Sequence, residues 1–86
     1  MTEKGQDIKD TIEAAVPGAT VHIYDPDGEH FEALVISSDF QGMPLIKQHK
    51  LVMNALKERF ATDVHALGLK TFTPEKWEKS KDKYIH

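Results

Sequence analysis

Apolar residues recur along the chain with two different periods. Ile8, Ile12 and Ala15 fall on one side of a 3.6-residue repeat, with Asp7, Lys9, Asp10 and Glu13 away from it, which predicts an amphipathic first helix. Val16-Pro17-Gly18 ends that helix, because Pro17 has no amide hydrogen to donate and disfavours the helical conformation at Val16. Thr20-Val21-His22-Ile23-Tyr24 is β-branched and aromatic and predicts a strand. Asp25-Pro26-Asp27-Gly28 carries turn chemistry, and His30 to Ser37 predicts the returning strand of a hairpin. Asp39 to Pro44 predicts a loop containing Gly42. Leu45, His49, Val52, Met53, Leu56 and Phe60 then form one continuous helical stripe, with Lys47, Lys50, Asn54, Lys57 and Glu58 over the remaining surface. Val64 to Phe72 predicts a third strand. Thr73-Pro74-Glu75 has the makings of a helix start, with a hydroxyl N-cap, proline in the first turn and an acid at the positive end of the dipole. Trp77 anchors this short last helix to the domain.

The predicted order is α-β-β-α-β-α. A hairpin followed by a strand–helix–strand crossover gives one antiparallel and one parallel pairing, hence a small three-stranded mixed sheet. The fold class is α+β, with the helices on one face and the other face partly exposed. At 86 residues, 40% hydrophobic and 29% charged, the composition is that of a single globular domain spanning 1–86. Its core is expected over about residues 6–78, followed by a charged tail at 79–86. No apolar run approaches the roughly 20 residues of a membrane span, and the N-terminus lacks a secretory pattern. The expected compartment is cytoplasmic.

The residue inventory narrows the chemistry. With no cysteine, a disulfide framework, a redox dithiol and a thiolate zinc site all fall away. A net charge of −3 argues against a strong general nucleic-acid footprint, although a local basic face is compatible with it. There is no Gly-x-Ser-x-Gly elbow and no P-loop. Ser37-Ser38-Asp39 reads as turn chemistry at a strand end, and Glu29 and Glu32 flank a strand without a sign of burial. The chain is not expected to be an enzyme. Its five histidines show no His-x3-His spacing, so any metal site needs tertiary assembly. His65, among Val64, Ala66 and Leu67, reads first as a hydrogen-bonded core histidine and second as a ligand. His49 reads as a helix-edge residue, His30 as an exposed strand end, His22 as a strand-face residue and His86 as part of the tail.

One stretch invites a nucleic-acid reading. Phe40 to Lys50 resembles a turn leading into a basic helix, and a helix N-terminus accepts phosphate. KH domains clamp a backbone with a Gly-x-x-Gly loop on a comparable small sheet. Here the loop is Gly42-Met43-Pro44-Leu45, without the second glycine, so a solvated basic face is the favoured reading.

Four pieces occur in order: Phe40-x-Gly42-x-Pro44-Leu45, His49-Lys50-Leu51-Val52, Val64-His65-Ala66-Leu67, and Lys70-Thr71-x-Thr73-Pro74-x-x-Trp77. Together with Ser37-Ser38 and His30-Phe31, this set resembles the BolA family over most of the chain. The resemblance implies a class II KH-like fold and a non-enzymatic partner of monothiol glutaredoxins. In such pairs a [2Fe–2S] cluster is shared, with the glutaredoxin supplying a cysteine and a bound glutathione. None is expected to be held tightly by this chain alone, a monomer that becomes a heterodimer with glutaredoxin. The family's C-terminal histidine falls on His65, which takes the role of cluster ligand. His30 is the only imidazole at the hairpin for the second ligand, ahead of the harder Asp27 carboxylate. The implied glutaredoxin surface joins the hairpin turn, the start of the long helix and the third strand. The family also includes stress-linked members and transcriptional regulators, so DNA is the alternative partner, bound through Gly42, Lys47, His49 and Lys50. Where the family carries arginine on both sides of the helix histidine, this chain has Gln48 and Lys50, which removes a bidentate donor.

Overall fold

The computed structural model of the protein describes residues 3–25, 30–60 (Phe60 through its backbone) and 67–84. Helix α1 spans Glu3–Ala15 and buries Ile8 and Ile12. It closes where expected: the Val16 amide still donates to the Ile12 carbonyl at 2.9 Å, and Gly18 then takes φ +85°, a conformation that a side chain disfavours. Strands β1 (Thr20–Tyr24) and β2 (Phe31–Ile36) pair antiparallel, with Thr20 opposite Ile36 and Tyr24 opposite Glu32. Helix α2 (Leu45–Phe60) crosses over, and β3 (Leu67–Phe72) pairs parallel to β2, from Phe31 opposite Leu67 to Ile36 opposite Phe72. The order is β1-β2-β3, so β2 is central. Helix α3 spans Pro74–Ser80. The three helices and small mixed sheet are the α+β arrangement that the hydrophobic pattern predicts. The expected strand residues 64–66 lie outside the described residues.

Strand alternation sorts the side chains onto two faces. Val21, Ile23, Phe31, Ala33, Val35, Leu67 and Leu69 face the core, where they meet Ile8, Ile12 and Val16 from the α1 side and Val52 and Leu56 of α2. Each such aliphatic side chain contributes about 1.5–3 kcal/mol by leaving water. The second face carries His22, Leu34, Ile36 and Phe72. The expectation of helices on one face holds for α1 and α2 but not for α3. Trp77 of α3 stacks on His22 at 5.6 Å between ring centroids and tilts against Phe72 at 5.2 Å. The reason is the indole: Ile36 and Phe72 leave an apolar end on the second face, and Trp77 covers it.

Structure continues past α3. A 3₁₀ turn over Lys81–Lys83 brings the Tyr84 ring to 5.6 Å from Phe72 and 6.1 Å from Trp77, with the Lys70 ammonium 5.4 Å from its centroid. The charged composition of this segment conceals that anchor.

Between β2 and α2 the expected loop contains a further 3₁₀ turn, Ser38–Phe40, that buries Phe40 to 1% exposure. The Ser37 hydroxyl accepts the Asp39 amide at 3.0 Å, so Ser37-Ser38-Asp39 serves the turn. The α2 stripe also needs a correction. Val52 and Leu56 are buried as expected, but Leu45 is 60% exposed and Gln48 takes its place on the inner face at 6%. Gln48 already lies level with Thr71, the penultimate residue of β3, so the turn before it projects beyond the sheet.

Candidate functional site

The parallel β2–β3 register decides which candidate residues come together. His30 precedes Phe31, the first residue of β2, and Phe31 is the register partner of Leu67, the first residue of β3. His30 is exposed, whereas the Phe31 ring is buried and has the Lys4 ammonium 5.9 Å from its centroid. His65 stands two residues before Leu67 in the sequence and lies outside the described residues, as do Asp27 and Glu29. The hairpin end of the sheet therefore presents one imidazole, His30, beside the point where the chain coming from His65 joins β3.

Among the described residues no three His, Cys, Asp or Glu side chains gather into a metal cage. The donor set on offer is imidazole without thiolate. That set fits a [2Fe–2S] cluster only where a partner contributes the sulfur ligands.

The second group of candidates sits at the opposite end. Residues 42–50 follow the C-terminal end of β2, and Gln48 ties them there. Its amide nitrogen donates to the carbonyls of Met43 at 2.8 Å and Phe40 at 3.3 Å, while its amide oxygen accepts the Thr71 hydroxyl at 2.6 Å. This side chain is a buried latch between the loop, α2 and β3, so Gln48, which stands where the family carries an arginine, serves the packing of the fold. Gly42 holds φ +76° with nothing within 4 Å of the place a Cβ would occupy, so its backbone angle alone calls for glycine. Lys47 and Lys50 are exposed and His49 is half-buried. Leu45 and Ile46 are exposed beside them, at 60% and 65%.

The two groups stand apart by the length of β2, about 16 Å at roughly 3.3 Å per residue. The surface expected to join the hairpin turn, the start of the long helix and the third strand is thus divided. The start of α2 lies at one end of the sheet and the hairpin at the other, because a crossover helix runs back against its strands.

Of the remaining histidines, His22 is half-buried on the second sheet face against Trp77, and His86 lies outside the described residues. Sequence reasoning missed the burial of Gln48 and Phe40 and the anchoring of Tyr84. The signal for Gln48 was present: Gln48, Val52 and Leu56 repeat every four residues.

Comparison with known proteins follows the same fold. The family model described as BolA-like protein matches residues 8–76. The mouse BolA-like protein 1 is 43% identical over 51 residues, which are 59% of this chain and 37% of that protein. The DNA-binding transcriptional regulator BolA of Escherichia coli is 36% identical over 53 residues, 62% of this chain and 50% of that protein. The chain thus spans half or less of the length of these curated relatives. A solved bolA protein homologue from Coxiella burnetii superposes with a TM-score of 0.72 at 41% identity, covering 91% of this chain and 97% of that one. The match to the family model over most of the chain, on the fold just described, makes this protein a member of the BolA family.

Proposed function

We propose that the protein is an iron–sulfur trafficking or regulatory adaptor that binds a monothiol glutaredoxin and shares a glutathione-ligated [2Fe–2S] cluster with it. The observation that carries this reading is the register of Phe31 with Leu67, which brings His30 and the chain leading from His65 to one end of the sheet. His65 is the principal ligand and His30 the second. Both are imidazoles on a chain without cysteine, so the thiolates come from the partner and its glutathione. Imidazole ligation supplies a higher cluster potential than all-thiolate ligation. It also makes retention pH-sensitive, since protonated imidazole binds no metal and the cluster is released as pH falls. The partner surface is the hairpin end, with Lys4 beside Phe31, and excludes the start of α2. The test titrates the protein into a cluster-loaded monothiol glutaredoxin while recording visible circular dichroism. A spectral change saturating near one-to-one, with co-elution in size exclusion, supports the adaptor; no change and no complex overturns it.

A second reading has its own observation. The Escherichia coli relative is named a DNA-binding transcriptional regulator, and Lys47, His49 and Lys50 form a basic surface at the start of α2. Nucleic-acid binding there falls steeply with salt. Undetectable binding at low salt removes this reading and leaves the hairpin end untouched.

A further inference from the structure

The second face of the sheet holds a groove beside its hairpin end. It measures about 450 Å³ and is lined by His22, Tyr24, Glu32, Leu34, Lys83 and Tyr84. Its floor is the outer face of the β1–β2 pair, where His22 lies opposite Leu34 and Tyr24 opposite Glu32. Its wall is the turn after α3, which carries Lys83 and Tyr84. The wall is fixed, because Tyr84 packs on Phe72 and Trp77. Two phenol rings thus border one space, and both reach solvent, Tyr24 at 63% and Tyr84 at 36% exposure.

Exposed aromatics on a sheet face that also carries cations are the elements of a base-stacking platform. Three features narrow the occupant. The volume suits a single nucleotide and is too small for a duplex. Lys83 on the wall supplies positive charge for a phosphate. Glu32 on the floor offers two acceptor oxygens and no donor. Guanine answers it best, because its ring N–H and exocyclic amino group point the same way and match both oxygens. Adenine offers only the exocyclic amino group on its pairing edge, and uracil a lone ring N–H. We infer that this groove binds a guanine nucleotide, with the base on the exposed Tyr24 ring, its N–H edge on Glu32 and its phosphate toward Lys83. The ligand is either a free nucleotide or a guanosine within a single strand; both present the same base and phosphate.

Trp77, the only tryptophan, stacks on His22 and Tyr84 and reports on the groove directly. The experiment titrates GMP into the full chain, following Trp77 fluorescence and backbone amide shifts by NMR. A saturable fluorescence change with shifts at β1 and Lys81–Tyr84 is expected. Tyr24→Ala weakens binding at least about fivefold, as loss of one stacking partner does. Both this variant and Lys83→Ala alter exposed side chains, so circular dichroism confirms that they stay folded. GMP binds more tightly than AMP or UMP, and Glu32→Gln abolishes that preference. Guanosine binds more weakly than GMP, by the same factor as Lys83→Ala weakens GMP. A single-stranded RNA tetramer containing one guanosine separates the sources: binding tighter than GMP identifies the strand, and equal or weaker binding identifies the free nucleotide. No saturable response to millimolar GMP, no base preference, or shifts confined to Gly42–Lys50, overturns the assignment.

Discussion

Replacing Gln48 with methionine keeps the length of a buried side chain and deletes its hydrogen bonds. The structure sets the size of the effect. Gln48 makes three: to the Met43 carbonyl at 2.8 Å, to the Phe40 carbonyl at 3.3 Å, and from the Thr71 hydroxyl at 2.6 Å. The Phe40 carbonyl keeps a partner in the Met43 amide at 3.0 Å, so its loss is small. The Met43 carbonyl and the Thr71 hydroxyl lose the bonds described here. At about 1 kcal/mol for each good bond, Gln48→Met costs about 2–3 kcal/mol, a drop in Tm of roughly 10 °C or more for a domain of this size. Thr71→Val costs about 1–2 kcal/mol, since it strands one buried amide oxygen. The double variant loses less than the sum by about 1 kcal/mol, because the second change removes a group the first has already orphaned. Urea denaturation of the four proteins measures this cycle. Hydrogen exchange adds the local consequence, with faster exchange at Phe40 and Met43 in Gln48→Met. A cost below about 0.5 kcal/mol, or strict additivity, refutes the latch.

Further outcomes follow from single features. Gly42→Ala lowers stability by about 1 kcal/mol in thermal denaturation, from its positive φ alone, as open space surrounds the added methyl. Thr73→Ala removes the N-cap bond to the Lys76 amide at 3.3 Å; it costs about 0.5–1 kcal/mol and shifts Trp77 emission to the red as α3 frays. Leu56→Ala, at a position with no exposure, costs about 2–5 kcal/mol in chemical denaturation, whereas Leu45→Ala is near neutral because Leu45 faces solvent.

The elements were legible because each obeys a local rule. The two isoleucines of α1, the proline and glycine after it, the β-branched run of β1 and the Thr73-Pro74 start of α3 all speak through neighbours in sequence. The crossover rule then gave the mixed sheet. What escaped was tertiary. Leu45 continues the helical period, yet α2 begins beyond the end of the sheet, and periodicity carries no information about where a helix overlaps a strand. Gln48 looks like surface by residue type, but two backbone carbonyls and a threonine hydroxyl satisfy it inside. Tyr84 sits among lysines, and only the apolar end left by Ile36 and Phe72 explains its anchorage. At the site, motif order identified the family and singled out His65 and His30 as candidates. Which candidates share a surface depended on tertiary placement: the register brings His30 beside the start of β3, and α2 starts beyond the other end of β2.

The central claim is that His65 holds a cluster shared with a glutaredoxin, and one comparison tests it most directly. His65→Ala and His49→Ala are each mixed with the cluster-loaded monothiol glutaredoxin, and the visible circular dichroism of the complexes is compared with that of the unmodified protein. Far-ultraviolet spectra confirm that both variants are folded. His49→Ala is expected to reproduce the unmodified spectrum, while His65→Ala loses the spectral change and sheds the cluster faster. An unchanged cluster spectrum in His65→Ala contradicts the claim and returns His65 to the role of a core histidine.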